Sequence, residues 1–112
     1  GTPLYARLSV ASNAPPFIVR PAAEADIEEA ALWYELRSRG LGTDFLRAVD
    51  ACFEQIRQRP ESFPQVYKRA RRARVRSFAY VAYFVPTGTG IQIVACMHAK
   101  RDPRIWRRRV DR

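Results

Sequence analysis

The side chains best suited to chemistry in this sequence are three arginines in its second half. Arg72, Arg74 and Arg76 alternate with small or apolar residues. Because successive side chains of a β-strand point to opposite faces, this spacing predicts three guanidinium groups along one face of a strand. Guanidinium groups bind phosphates and carboxylates bidentately, so such a row could hold a polyanion or an acidic peptide. The alternative is a solvated strand face that only keeps the protein soluble.

His98 is the only histidine of the chain. Imidazole is the side chain that most readily takes up and gives off a proton at neutral pH, so His98 is a candidate general acid or base. The alternative is a structural residue at the end of a strand, packed near Trp106. No carboxylate partner is evident from the sequence, and this favours the structural role.

Positive charge is concentrated in the second half of the chain. The 112 residues include 20 Lys and Arg and 11 Asp and Glu, which gives a formal net charge of +9. Residues 1–66 carry 7 basic and 9 acidic side chains, whereas residues 67–112 carry 13 basic and 2 acidic ones. This asymmetry predicts a C-terminal half that meets a polyanion or an acidic protein partner. A generally basic, soluble surface is the alternative.

Length and composition exclude several classes of protein. A chain of 112 residues forms one domain. It has neither an apolar run long enough to span a bilayer nor the layout of a signal peptide, so we expect a cytoplasmic protein without a membrane partner. Cys52 and Cys96 occupy apolar-periodic positions and are expected to be buried free thiols. Without zinc-like Cys/His spacing or a phosphate-binding glycine loop, no metal or cofactor is expected.

The first half of the chain predicts a strand and a helical hairpin. Residues 1–16 lack helical periodicity, and we expect them to be a flexible arm or a cloning remnant, which leaves 17–112 as a single domain. A short strand over 17–20 precedes Pro21, which is suited to open a helix. Gly40-Leu41-Gly42 should end that helix, with Thr43 as the N-cap of the next one. The helical spacing predicts buried positions at Ala23, Ile27, Ala30, Ala31 and Tyr34, then at Phe45, Val49, Cys52, Phe53 and Ile56.

The second half predicts a β-sheet and a short last helix. Segments 66–68 and 73–77 have the pattern of one strand interrupted around Ala70. Two further strands, 78–85 and 91–98, are joined by a turn rich in Pro and Gly. Pro103 could open a terminal helix that carries Ile105 and Trp106. The fold class is therefore α+β: an N-terminal strand, an αα-hairpin and a three-stranded antiparallel meander, with the helices packed on one face of the sheet.

Short motifs follow one another in a characteristic order along this predicted domain. This order resembles the RelE/ParE superfamily of bacterial type II toxins, also called plasmid stabilisation proteins, from about Phe17 to Val110. The usual Phe-Pro-Tyr of the family is Phe78-Ala79-Tyr80 here. The other matching motifs are Val19-Arg20-Pro21-Ala22, Trp33-Tyr34, Gly40-Leu41-Gly42, Arg59-Pro60-Glu61-Ser62-Phe63-Pro64, Arg71-Arg72, His98, Arg101-Asp102-Pro103 and Trp106-Arg107.

The resemblance implies a growth-inhibiting toxin that is neutralised by a cognate antitoxin. The toxin could form homo-oligomers, or hetero-oligomers with this antitoxin. RelE-like members cut messenger RNA on the ribosome, whereas ParE-like members bind DNA gyrase and have no known hydrolytic site, so enzyme activity stays open. We favour the ParE-like branch because the helical hairpin is long and its outer face is acidic. A non-toxic module that binds RNA or DNA is a third alternative.

The resemblance also suggests roles for individual residues. In a RelE-like toxin, His98 would be the acid or base, Arg74 and Arg76 would clamp the phosphate, and Tyr80 or Tyr83 would stack on a base. Docking of nucleic acid or of an acidic antitoxin segment requires charge alone. The basic residues predicted for such docking are Lys68, Arg69, Arg72, Arg74, Arg76, Arg107 and Arg108.

Overall fold

The structure is a computed structural model that describes residues 15–112. The predicted N-terminal arm, residues 1–16, therefore lies almost entirely outside the described residues. A short 3-10 turn over Pro60–Ser62 follows the second helix. The elements in chain order are β1 (Phe17–Val19), α1 (Pro21–Arg37), α2 (Leu41–Gln58), β2 (Gln65–Tyr67), β3 (Ala70–Arg74), β4 (Tyr80–Pro86), β5 (Ile91–His98) and α3 (Pro103–Val110).

The five strands form one mixed sheet in the order β1-β5-β4-β3-β2. The last three strands, β3 to β5, are the predicted antiparallel meander, and the α+β fold class is confirmed. Two features differ from the prediction. The segment around 65–74 is a hairpin of two paired strands, β2 and β3, rather than one interrupted strand. The sheet is mixed because β1 pairs in parallel with β5.

Helix α1 begins at Pro21, as predicted, but α2 begins earlier than predicted. Gly40 adopts a left-handed conformation (φ of 87°), so the chain reverses at once and α2 starts at Leu41 rather than after Thr43. The Glu35 carboxylate of α1 accepts the N–H groups of Gly40 at 2.9 Å and Gly42 at 3.0 Å. These two bonds are the main reason why the pKa of Glu35 is lowered. Glu35 therefore satisfies N-terminal donors of α2 that a Thr43 side chain does not reach.

The two helices make their closest backbone approach at Gly42. A Cβ atom added there would lie 2.5 Å from the Ala31 carbonyl oxygen, whereas one added at Gly88 would meet nothing within 4 Å. We expect Gly42→Ala to lower the free energy of unfolding by about 1–3 kcal/mol, because α1 and α2 must move apart. Urea denaturation followed by circular dichroism measures this loss. The matched control Gly88→Ala should stay within about 0.5 kcal/mol of the parent, and equal losses in both variants would contradict the prediction.

The helical hairpin packs on one face of the sheet. All five positions predicted for α2 are buried, and so are Ala23, Ile27 and Ala30 of α1, whereas Ala31 and Tyr34 are partly buried. The sheet residues that meet them are Phe17, Ala73, Val75, Ala82, Phe84, Ile91, Ile93 and Cys96. We call this side of the sheet the hairpin face.

Helix α3 packs on the opposite face, which the prediction of helices on a single face did not include. The Trp106 indole stacks on the Tyr83 ring, with centroids 4.1 Å apart and planes inclined by 12°. Tyr67 meets the same indole edge-on at 6.0 Å. The sheet residues in this second core are Ala70, Val81, Tyr83, Val85, Val94, Ala95 and Met97. We call this side the α3 face.

A β-bulge in β5 changes which residues face the hairpin. Tyr83 lies opposite Ala95 and Phe84 lies opposite Ile93, so Val94 is an extra residue in the ladder. As a result Ile93 points to the hairpin face but Ala95 points to the α3 face. Strict alternation along a strand would place residues 91, 93, 95 and 97 on one face, and the bulge ends this alternation after Ile93.

Cys52 and Cys96 are buried free thiols, as predicted. Burial raises the pKa of Cys52 to about 12 and also raises that of Cys96. Both thiols are therefore protonated, poor nucleophiles at neutral pH. Among residues 15–112 no helix is long and apolar enough to cross a bilayer.

Candidate functional site

The predicted row of three arginines is a row of two. Arg72 and Arg74 lie opposite Tyr83 and Val81 of β4, and both partners belong to the α3 face. Strand β3 ends at Arg74, and Arg76 lies in the turn that leads to β4. Ser77 has a φ of 70° in this turn, and the Val75 N–H donates to the Tyr80 carbonyl at 2.9 Å. Arg76 lines a groove beside the first turns of α2, on the hairpin side of the molecule.

Tyr80 and His98 are direct cross-strand partners on the hairpin face. Their rings meet edge to face with centroids 5.7 Å apart, and Tyr80 also packs against Phe45 at 5.2 Å. The His98 Nδ1 atom accepts the backbone N–H of Lys100 at 3.1 Å, which orients the imidazole. The expectation that His98 packs near Trp106 is wrong, because Trp106 lies on the opposite face of the sheet.

A groove of about 320 Å³ lies between α1 and β5 at this point. His98, Tyr80, Glu29, Trp33 and Arg101 are among the residues that line it. Glu29 is a carboxylate that lines the same groove as His98. No sequence pattern selects it, because the two residues are brought together only by the packing of α1 on the sheet. Burial is the main cause that raises the pKa of Tyr80, so its phenol is protonated at neutral pH.

A partly buried ion pair covers the same edge of β5. Strand β1 pairs only with residues 91–93 of β5, and within residues 15–112 the rest of this edge has no neighbouring strand. Asp26 accepts the backbone N–H of Cys96 at 3.0 Å and a hydrogen bond from Arg109 at 2.6 Å. Arg109 also donates to the Val94 carbonyl at 3.1 Å. The two side chains thus satisfy backbone groups that would otherwise be open at a sheet edge.

Arg107 of α3 extends the arginine row on the α3 face. Its guanidinium lies 5.1 Å from the Tyr67 ring centroid and 5.5 Å from that of Trp106. Burial raises the pKa of Tyr83, and the positive charges of Arg72 and Arg107 oppose this rise. The phenol is therefore flanked by both guanidinium groups. We call Arg72, Arg74 and Arg107 the cationic face.

The other residues predicted for docking differ in how their charge is used. Lys68 forms a salt bridge with Asp111 at 2.6 Å, and the pKa of Lys68 is raised mainly by the hydrogen bond of this pair. Its charge is thus largely balanced within the protein. Arg69 is exposed in the turn between β2 and β3, and Arg108 is exposed on α3. The structure brings Arg72, Arg74 and Arg107 to one face but does not bring Arg76 there.

A model of the family described as ParE toxin of type II toxin-antitoxin system, parDE, matches residues 17–103. This match extends from the first residue of β1 to the first residue of α3. The chain belongs to the ParE toxin family. It is a toxin of a type II toxin–antitoxin system, and a cognate antitoxin is therefore its partner. No curated protein sequence matches the chain.

The residues suggested for RNA cleavage are divided between two faces of this toxin. His98 and Tyr80 lie on the hairpin face, whereas Arg74 points from the α3 face and Arg76 lies beside α2. A sheet separates Arg74 from the imidazole, so these two groups do not converge on one phosphate. Within residues 15–112 no cluster of three or more His, Cys, Asp or Glu side chains is arranged to hold a metal ion.

Proposed function

We propose that this ParE-family toxin inhibits growth by binding DNA gyrase and that it does not itself hydrolyse nucleic acid. The observation that supports the proposal is the division of His98 and Arg74 between opposite faces of the sheet. Cleavage through the 2′-hydroxyl requires an acid, a base and a cation within hydrogen-bond reach of one phosphate. Binding to gyrase makes no such demand, because it requires only a complementary surface.

A second candidate function is ribosome-dependent cleavage of messenger RNA. One observation favours it: the groove between α1 and β5 brings His98 together with Glu29, Tyr80 and Arg101. These are an imidazole, a carboxylate, a phenol and a cation, which are the group types that acid–base cleavage uses. In this candidate Arg101 replaces the Arg74 and Arg76 that the resemblance suggested.

The two candidates differ in what they require of His98. We expect purified His98→Ala toxin to inhibit supercoiling by gyrase within about twofold of the parent, and neither protein to cleave messenger on ribosomes. If His98 is an acid or base, its removal should instead slow cleavage by roughly 10²–10⁴-fold. His98→Asn retains a side-chain acceptor for the Lys100 N–H and is the control for local structure.

Growth assays connect these measurements to the cell. Expression of the His98→Ala toxin alone should arrest growth as the parent does, and co-expression of the antitoxin should restore it. Cleavage of messenger that disappears in His98→Ala, with supercoiling unaffected, would overturn the proposal in favour of the nuclease. A lack of growth arrest by the parent would instead favour a non-toxic binding module.

A further inference from the structure

We infer that the cationic face, Arg72, Arg74 and Arg107, binds the phosphate backbone of double-stranded DNA. This inference rests on the proposed function, since duplex DNA is the substrate on which gyrase acts. The toxin would then contact the DNA held by its target as well as the target protein. Three features of the face support this inference: the arginines are not neutralised, regular elements hold their backbones, and the Tyr83 and Trp106 rings beside them are covered.

The three arginines keep their charge available for a ligand. Within residues 15–112, the guanidinium groups of Arg72, Arg74 and Arg107 form neither an ion pair nor a hydrogen bond. Three other basic side chains are paired with acids of the protein itself: Lys68 with Asp111, Arg104 with Asp102, and Arg109 with Asp26. Arg69 and Arg108 are exposed and, within residues 15–112, also lack an ion pair. The cationic face therefore carries positive charge that no acid of the described residues balances through an ion pair.

Rigid elements hold these arginines at a spacing suited to successive phosphates. Arg72 and Arg74 are two residues apart on β3, so their Cα atoms are separated by roughly 6.6 Å along the strand. Arg107 lies on the same face as Arg72, because its guanidinium is 5.5 Å from the Trp106 ring centroid and Trp106 stacks on Tyr83, the partner of Arg72 in β4. The rings of Tyr67 and Trp106 support the Arg107 guanidinium through cation–π contacts. Such preorganisation lowers the entropy that must be lost on binding.

The surroundings favour a duplex over a single strand. Proteins that bind single-stranded nucleic acid stack its bases on exposed aromatic side chains. Here Tyr83 is 5% exposed and Trp106 is 4% exposed, because they stack on each other. A base therefore finds no open ring of Tyr83 or Trp106 between the arginines. Phosphate oxygens at the surface of a duplex need only the guanidinium groups.

An acidic peptide is the competing occupant, and the same surface fits it less well. Peptide interfaces depend on apolar or aromatic anchors buried in pockets. The large apolar side chains most exposed in the described chain are Leu32, Trp33 and Leu36 of α1, which packs on the hairpin face. The cationic face supplies charge without such anchors, and this pattern matches a phosphate backbone.

The test is binding of the full toxin to a fluorescently labelled 20-base-pair duplex, measured by anisotropy at 50 and 200 mM KCl. Three neutralised phosphates give a slope of about −2.7 for log K against log salt, so affinity should fall about 40-fold between these concentrations. The triple variant Arg72→Gln, Arg74→Gln, Arg107→Gln should lose most of the binding at 50 mM and nearly all of this slope. The single variant Arg74→Gln changes an exposed side chain and should reduce the slope by about 0.9. It keeps the test valid if the triple variant does not fold.

A control variant that also loses three positive charges can be made on the helical hairpin, away from the cationic face. Arg39, Arg47 and Arg59 are exposed on or beside the helical hairpin. Their triple change to Gln should leave the slope within about 0.5 of the parent. Equal losses in the two triple variants would mean that only net charge matters and would overturn the inference.

Two other probes decide between classes of ligand. A single strand of the same sequence that binds more tightly than the duplex would contradict the assignment. So would a 20-residue glutamate-rich peptide that binds as tightly as the duplex and requires the same three arginines.

Gyrase inhibition without duplex binding at 50 mM KCl would refute this inference alone. Duplex binding without gyrase inhibition would refute the proposed function and leave the DNA-binding face in place.

Discussion

Replacing Asp26 by alanine is expected to lower the free energy of unfolding by about 3 kcal/mol. Its carboxylate accepts hydrogen bonds from Arg109 and from the backbone of Cys96, and the paired side chains of Asp26 and Arg109 are only 15% and 20% exposed. Removal of one partner leaves a largely buried charge unpaired, which costs about 3–5 kcal/mol in comparable pairs. We place the loss at the lower end because one fifth of the arginine side chain reaches solvent and is screened.

Urea denaturation of Asp26→Ala beside Asp111→Ala measures this effect against a matched control. Asp111 pairs with Lys68 at the same 2.6 Å, but the side chains are 41% and 59% exposed. Loss of this exposed pair should cost much less than loss of the Asp26–Arg109 pair, because solvent screens the two charges. Similar losses for both variants would show that burial of Asp26 and Arg109 adds nothing. Asp26→Ala also opens the edge of β5, so we expect it to self-associate more readily at high concentration.

Local signals in the sequence were sufficient for the helical hairpin. The i, i+3 and i+4 spacing of α2 identified five of its six buried positions, all except Gly42, and Pro21 marked the start of α1. Each of these signals acts within one or two turns of helix, so no distant residue can alter it. The start of α2 was missed because its N-terminal donors are satisfied by Glu35 of the preceding helix rather than by a local cap.

The sheet was predicted less accurately because its turns lack the usual signals. Lys68 and Ser77 both adopt positive φ values, 51° and 70°, at positions where glycine or asparagine is the common residue. The turn at Lys68 was therefore predicted as an interruption of one strand. The turn around Ser77 was predicted as the end of a strand over 73–77, which included Arg76. The bulge at Val94 arises from the pairing with β4, and no property of β5 alone indicates it.

In the candidate sites too, local patterns were predicted correctly and tertiary contacts were not. Arg72 and Arg74 were placed correctly on one face because the alternation within a single strand is local. Arg107 lies on the same face as these two arginines because α3 crosses the sheet above Tyr83. This arrangement depends on a tertiary contact, the stacking of Trp106 on Tyr83. Likewise Asp26 and Arg109 are 83 residues apart in sequence, and Glu29 meets the His98 groove only through packing. The sequence therefore supplied candidate residues, and the fold decided which of them act together.

Trp106→Ala is expected to cost about 3–5 kcal/mol, the usual range for removing a buried tryptophan. Trp106 is 4% exposed and is the only residue of α3 that is fully buried in the described chain. Its stacking on Tyr83 attaches the helix to the sheet. Without the indole, we expect α3 to detach at lower urea concentration than the rest of the fold. Trp33 is the remaining tryptophan of this variant, so its fluorescence reports the helical hairpin. An early transition that appears in far-ultraviolet circular dichroism but not in Trp33 fluorescence should then report the loss of α3.

The same variant links the stability of α3 to binding of DNA. Arg107 is supported by the rings of Trp106 and Tyr67, so loss of the indole should remove about one phosphate contact from the salt slope, a change of about 0.9. Ile105→Ala is the control, because Ile105 is only partly buried beside the same core and its loss leaves the Arg107 support intact. It should lower stability by about 1 kcal/mol and leave the salt slope unchanged. A Trp106→Ala toxin that is destabilised but keeps the full slope would show that DNA binding does not depend on the support of Arg107 by Trp106, and that support would then be rejected as part of the cationic face.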